Sequence, residues 1–142
     1  MQHLFCFLLL LLFTVATYGQ QDSAQPANVR IVTERKPYYG TASFYADMFE
    51  GRQTANGEIY MHNKFTAACN VLPLGTWIRV TNLRNNKSII VKTNDRLHPR
   101  MKRIVDLSKS AAQKLGYIGR GLTQVKVEVL EKVKTSVAHR DK

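Results

Sequence analysis

The chain predicts an all-β fold: a small closed β-barrel with one or two short helices and a carboxylate, Asp95, at its mouth. Three observations carry this. Short runs alternate bulky apolar and polar residues, Gly, Asn and Pro punctuate the runs, and only one segment has a confident helical signature. Many short strands favour closure, because a closed barrel leaves no unpaired edge.

Residues 1–19 read as a secretory signal. Residues 4–15 are almost continuously apolar, yet shorter than the ~20 residues a membrane-spanning helix requires. Small and polar residues follow, so cleavage is expected near Gly19, with Gln20 opening the exported chain. Cys6 lies inside the apolar stretch and not directly after the small residues, so neither lipidation nor a stable membrane anchor is expected. Residues 20–36 are polar and without period, a flexible lead-in. Residues 37–130 form the expected barrel domain, and residues 131–142 a basic tail.

Within the domain, residues 40–45 supply the first strand. Trp77-Ile78-Arg79-Val80-Thr81 alternates as a half-buried strand does, and residues 88–93 form a β-branched run. Between them, Arg84-Asn85-Asn86-Lys87 is a turn, because Asn tolerates positive φ. Residues 103–107 add another short strand. The helix is expected over residues 109–115, with Ser108 capping its first turn and Gly116 in the left-handed conformation after its last. Val125, Val127 and Val129 alternate with Lys126 and Glu128 in a final strand.

The formal net charge is +11, and the signal contributes nothing to it. For an exported chain an anionic envelope polymer is the expected counter-charge, and nucleic acid is not. Loss of Cys6 with the signal leaves Cys69 alone, so no intramolecular disulfide is expected. One Cys with His62, His98 and His139 has neither the spacing nor the clustering of a zinc site, so no metal and no cofactor are expected. Nor does Cys69 have a His at nucleophile spacing; a small buried residue is the favoured reading, against a thiolate nucleophile.

Several short motifs occur in a fixed order: Gly40-Thr41-Ala42-Ser43-Phe44-Tyr45, Thr54-Ala55-Asn56-Gly57-Glu58, Thr66-Ala67-Ala68, Leu72-Pro73-Leu74-Gly75-Thr76, Val80-Thr81-Asn82-Leu83, Asn94-Asp95-Arg96 and Ile104-Val105-Asp106-Leu107-Ser108. In this series the chain resembles the rare lipoprotein A family of septal lytic transglycosylases. The resemblance implies a six-stranded double-psi β-barrel. It also implies cleavage of peptidoglycan glycan strands, preferably strands stripped of stem peptides, leaving 1,6-anhydro-N-acetylmuramic acid ends. A monomer is expected, with glycan strands as the main partner and division-site proteins as a further class. The alternative is a non-catalytic, expansin-like module that binds or loosens the wall; a third reading is a basic interaction domain recruited to division sites.

The resemblance also assigns residues. Asp95 falls at the catalytic aspartate, the single group that acts first as acid and then as base; from position alone, an Asx turn or an ion pair with Arg96 is the favoured explanation, and the resemblance reverses that order. Glu58 matches a second acidic position, either supporting catalysis or simply solvated. Asp106 matches too, although its place before Ser108 suggests helix entry. Cys69 stands where the family carries a His, and Asp95-Arg96-Leu97-His98-Pro99 replaces the family's Asp-Arg-Gly-Pro pattern. A thiol supplies neither the charge nor the hydrogen bonds of an imidazole, which is what favours the non-catalytic alternative. Asn94, Arg96 and His98 are candidate glycan contacts. Tyr45, Phe44 and Tyr60 are either sugar-stacking rings or core.

Overall fold

A computed structural model of the protein describes residues 35–130. The expected signal, most of the lead-in and the basic tail lie outside these residues. The described chain runs through β1 (Tyr38–Phe44), a 3₁₀ turn (Asp47–Phe49), β2 (Thr66–Cys69), β3 (Trp77–Asn82), β4 (Ser88–Asp95), β5 (Val105–Leu107), α1 (Lys109–Leu115), a second 3₁₀ turn (Ile118–Arg120) and β6 (Thr123–Val129). The six strands close in the order β1-β5-β2-β4-β3-β6. β1 pairs in parallel with β5, and β2 in parallel with β4. The other four pairings are antiparallel.

The expected β-hairpin is formed by β3 and β4, with Asn86 at φ 58 in its turn. β4 runs two residues beyond the expected strand and ends on Asp95. β2 was not legible as a strand: Thr66-Ala67-Ala68-Cys69 has no alternation because every residue of it is buried. Its side chains are covered on both faces: Ala67 and Cys69 belong to the core, and Ala68 lines the cleft described below. Ala68 stands level with Asp95 of β4 on one side and with Asp106 of β5 on the other. Between Ala67 and Ala68 the β2–β4 register slips by one residue, so Asn94 is the extra residue of a bulge. Such bulges bend a strand and re-aim the side chain beside them.

The barrel core consists of inward residues from alternate strand positions, among them Ala42, Ile78, Val80, Val91, Val105 and Val127. Full burial of a Val or Ile side chain contributes about 1.5–3 kcal/mol. Helix α1 has only seven residues, too short to persist alone. It is held by Ala111, Ala112 and Leu115, which are buried in the same core. Gly116 takes the expected left-handed conformation, φ 75 and ψ 35. Ser108 occupies the N-cap position, but its side chain makes no capping hydrogen bond. It is buried, and its main chain instead bonds Thr66 O through N–H and Ala112 N–H through C=O.

The C-terminal end of α1 is tied to the hairpin by two amides. Asn82 Nδ2 and Asn85 Nδ2 both donate to Leu115 O, at 3.0 and 2.9 Å. A helix leaves its last carbonyls without intrahelical partners, and these side chains satisfy one of them. Asn82 Oδ1 accepts from Thr123 Oγ1 at 2.8 Å and from the Arg84 N–H at 3.0 Å, so one buried residue joins β3, α1 and β6. At the far end of β1 from Phe44, Tyr38 stands opposite Val127 of β6, and the Leu130 N–H donates to Trp77 O. Asn82→Ala leaves the Thr123 hydroxyl and the Arg84 N–H without their acceptor. The expected loss is about 2–3 kcal/mol of unfolding free energy, read as a lower urea midpoint at unchanged slope. Asn85→Ala, at an exposed position, is expected to cost less than half as much.

Candidate functional site

A cleft of about 510 Å³ opens where β1 ends, β4 ends and β5 begins. Asp95 lies in its wall, and the bulge at Asn94 sets its aim. Three donors from two other segments and its own backbone hold the carboxylate. Oδ1 accepts from the Ala55 N–H at 2.9 Å and the Arg96 N–H at 2.8 Å. Oδ2 accepts from the Tyr45 hydroxyl at 2.6 Å. The Ala55 donor comes from the loop of the Thr54–Glu58 motif, which is itself closed by the Thr54 N–H donating to Glu58 O and by Thr54 Oγ1 donating to Asn56 Oδ1.

Tyr45 is thus the direct partner of Asp95. Its ring is stacked on Tyr60, with centroids 4.2 Å apart, and meets the Phe49 edge at 5.7 Å. Burial pushes the Tyr45 hydroxyl far above the ordinary phenol range, and the hydrogen bond and charge of Asp95 push it further. It therefore keeps its proton. Tyr60 is almost fully buried, and that burial raises its hydroxyl to about 12. The Tyr60 hydroxyl lies 2.8 Å from His62 Nδ1, and His62 Nε2 lies 3.2 Å from Asp47 Oδ1. Lys109 Nζ closes this outer chain on Asp47 at 2.6 Å.

The other residues singled out from sequence are placed differently. Glu58 does not line the cleft. Its Oε2 accepts from Asn94 Nδ2 at 2.9 Å, and hydrogen bonds with Asn94 and then Asn56 hold its carboxyl below the ordinary range. An ionised carboxylate held by these amides is a hydrogen-bond acceptor, and through Asn94 it supports the bulge from which Asp95 projects. Asn94 is buried and turned to Glu58, so it is not a glycan contact. Arg96 does line the cleft, but one arm of its guanidinium is tied to the carbonyls of Cys69 and Leu72, bracing the turn after β2. His98 sits exposed on the rim, with Nδ1 accepting from the Arg100 N–H at 3.3 Å. Phe44 lines the cleft while packing edge-on against Tyr117.

Cys69 is 1% exposed, part of the hydrophobic core and absent from the cleft wall. Burial raises its thiol, although the backbone N–H groups of Val71 and Leu72 and the charge of Arg96 act in the opposite sense. A thiol kept protonated in this way is no nucleophile.

Asp106 is in the cleft, not at a helix entry, and both its oxygens are taken by Arg103, at 2.8 and 2.9 Å. Sequence reasoning missed Arg103 and Arg52, which also line the cleft. Arg103 opens the expected strand of residues 103–107, but β5 begins at Val105, and its pairing with Asp106 depends on a chain bend that periodicity does not show. Arg52 sits inside the motif-rich segment after Gly51, whose φ of 81 turns the chain there. Among the described residues, no group of three or more His, Cys, Asp and Glu side chains could hold a metal ion, and no helix is long and apolar enough to cross a membrane.

Comparison with known proteins identifies the family and the fold. The profile of the family described as lytic transglycolase matches residues 39–127. The chain is 51% identical over 89 residues to the endolytic peptidoglycan transglycosylase RlpA of Neisseria meningitidis, covering 63% of this chain and 37% of that protein. It is 42% identical over 123 residues to the RlpA of Haemophilus influenzae, covering 85% of this chain and 41% of that protein. The chain thus spans well under half the length of these relatives. Among solved structures, a Streptomyces papain inhibitor superimposes with a TM-score of 0.55 at 19% identity, covering 73% of this chain and all of that one. An expansin of Clavibacter michiganensis gives 0.53 at 17% identity, covering 68% of this chain and 51% of that one. At such identities the two share the barrel alone. The closed six-stranded barrel and the match across residues 39–127 together place this chain in the lytic transglycolase family of double-psi β-barrels.

Proposed function

We propose that the protein is an exported, monomeric lytic transglycosylase that cleaves peptidoglycan glycan strands in the cell envelope, with Asp95 as acid and then base. The observation that supports this reading best is the asymmetric hold on Asp95. Oδ1 is occupied by two N–H donors, which leaves Oδ2 as the oxygen that carries a proton. The Tyr45 hydroxyl at Oδ2 is both a donor and an acceptor, so it stabilises the carboxylate and the carboxylic acid in turn.

The reaction needs one such group. Protonated Asp95 gives its proton to the glycosidic oxygen leaving C1 of N-acetylmuramic acid, and the C1–O bond breaks. The carboxylate then takes the proton from the C6 hydroxyl of the same sugar, whose oxygen bonds to C1. Asp95 ends as it began, and no water is consumed. An ordinary glycosidase needs a second carboxyl group for water or for a covalent intermediate. The other carboxylate lining the cleft, Asp106, is chelated by Arg103, which leaves it unsuited to activate water. The basic surface favours an anionic wall polymer, and division-site proteins remain the further class of partner.

Mass analysis of the products from denuded glycan tests the reaction: ends lighter by one water identify transglycosylation, and reducing ends identify hydrolysis. Asp95→Asn is expected to lower turnover by about 10²–10⁴-fold, the usual worth of general acid–base catalysis, while glycan binding persists. If Asp95→Asn releases as many anhydro ends as the unaltered protein, the assignment is wrong. Tyr45→Phe keeps the stack on Tyr60 but removes the partner of Oδ2. It is expected to lower kcat by about 10-fold with little change in KM, as loss of a hydrogen bond to a charged group implies.

One observation bears on the non-catalytic, wall-binding alternative: position 69 faces the core. An imidazole there has too little space, and the groups that face it, the Val71 and Leu72 N–H groups and the Arg96 cation, disfavour its charged form. Cys69→His is therefore expected to destabilise the fold by about 2–4 kcal/mol, read by thermal unfolding, and not to raise turnover. Higher turnover with unchanged stability would show that the ring reaches the cleft. Glycan binding without any cleavage by the unaltered protein would favour the wall-binding reading.

A further inference from the structure

The cationic side chains around the cleft are not equivalent. Arg96 is committed to the carbonyls of Cys69 and Leu72, and Arg103 to both oxygens of Asp106. His98 accepts a backbone N–H at the rim. Arg52 differs from all three. Among the described residues no carboxylate, carbonyl or amide engages its guanidinium, which lies over the Phe49 ring at 5.3 Å from the centroid. Its backbone is fixed on both sides, because its N–H donates to Phe49 O at 3.0 Å and its carbonyl accepts from the Tyr60 N–H at 2.8 Å. Phe49 in turn meets Tyr45, whose hydroxyl touches Asp95. A planar cation is thus held on a ring at the cleft wall, with its donors turned to no protein acceptor.

Resting on the reading of the cleft as a peptidoglycan-cleaving site, we propose that Arg52 is a specificity-determining residue that binds the free lactyl carboxylate of N-acetylmuramic acid. The chemistry is a match of fork to fork. A guanidinium binds a carboxylate through two parallel N–H···O bonds, and the Phe49 ring beneath it limits where the fork can lie. When a stem peptide is attached, the lactyl group is an amide. It then carries no charge and offers a single acceptor oxygen, and the bidentate bond is lost. Asp95 and Asp106 repel a substrate carboxylate, so an uncommitted cation on the Phe49 side also sets which way round the strand enters. Arg52 acts on selection and orientation and takes no part in proton transfer.

The test compares two glycans of equal length, one with free lactyl carboxylates and one with the same groups converted to methyl amides, on the full chain. The unaltered protein is expected to favour the free carboxylate by about 10- to 100-fold in kcat/KM, the worth of a charge-assisted hydrogen-bond pair. Arg52→Gln is expected to bring that ratio close to one by raising KM for the charged glycan, with kcat on the amidated glycan unchanged. Arg52→Lys, which keeps the charge but not the fork, is expected to retain a smaller preference. A ratio unaltered by Arg52→Gln overturns the proposal even if cleavage is normal. Equal cleavage of both glycans by the unaltered protein overturns it as well. Absence of cleavage of either glycan by the unaltered protein overturns the activity itself; the proposal then fails with it unless equilibrium binding still prefers the free carboxylate and loses that preference in Arg52→Gln.

Discussion

The arrangement depends on β2, the four-residue strand that joins the two halves of the barrel. It is the meeting point of a parallel partner, β4, and an antiparallel one, β5. All four residues of Thr66-Ala67-Ala68-Cys69 are buried, and all four are small. Because Ala68 stands level with both Asp95 and Asp106, its methyl group is the floor on which two carboxylates converge. A larger side chain there fills the space between them. The one-residue slip beside Ala68 then sets the direction of Asp95, so the chemistry of the cleft is a consequence of how the central strand is paired.

Much of this was legible in the residues. The alternation in residues 77–81 and 125–129 records strands with one face inward, and the Asn-Asn turn and Gly116 record backbone conformations that few residues adopt. β2 escaped because alternation marks a half-buried strand, and a strand with every side chain inside has none to show. The end of β4 escaped for a related reason: Asn94 follows the β-branched run as a polar residue, yet it is the extra residue of a bulge and is buried.

The site divides along the same line. Asp95 and its motif were visible because they lie together in the chain. The partners that give Asp95 its character are distant in sequence and converge only in the fold: Tyr45 from the end of β1 and Ala55 from a loop. Glu58 shows what a motif leaves out. A matching acidic position does not reveal what its carboxylate touches, and here that partner is the amide of Asn94. Ser108 is a similar case. Its position predicts a capping hydroxyl, but the main-chain bonds to Thr66 and Ala112 fix the residue without one.

The two ends of the described chain leave the barrel side by side. Tyr38 lies opposite Val127, and Leu130 is hydrogen-bonded to Trp77, whereas the cleft lies at the other end of β1, about 20 Å away for a strand of this length. Any tether joined at either terminus therefore departs from the pole opposite the cleft. It can hold the barrel to another body without crossing the path of a long polymer, and both ends can be loaded at once.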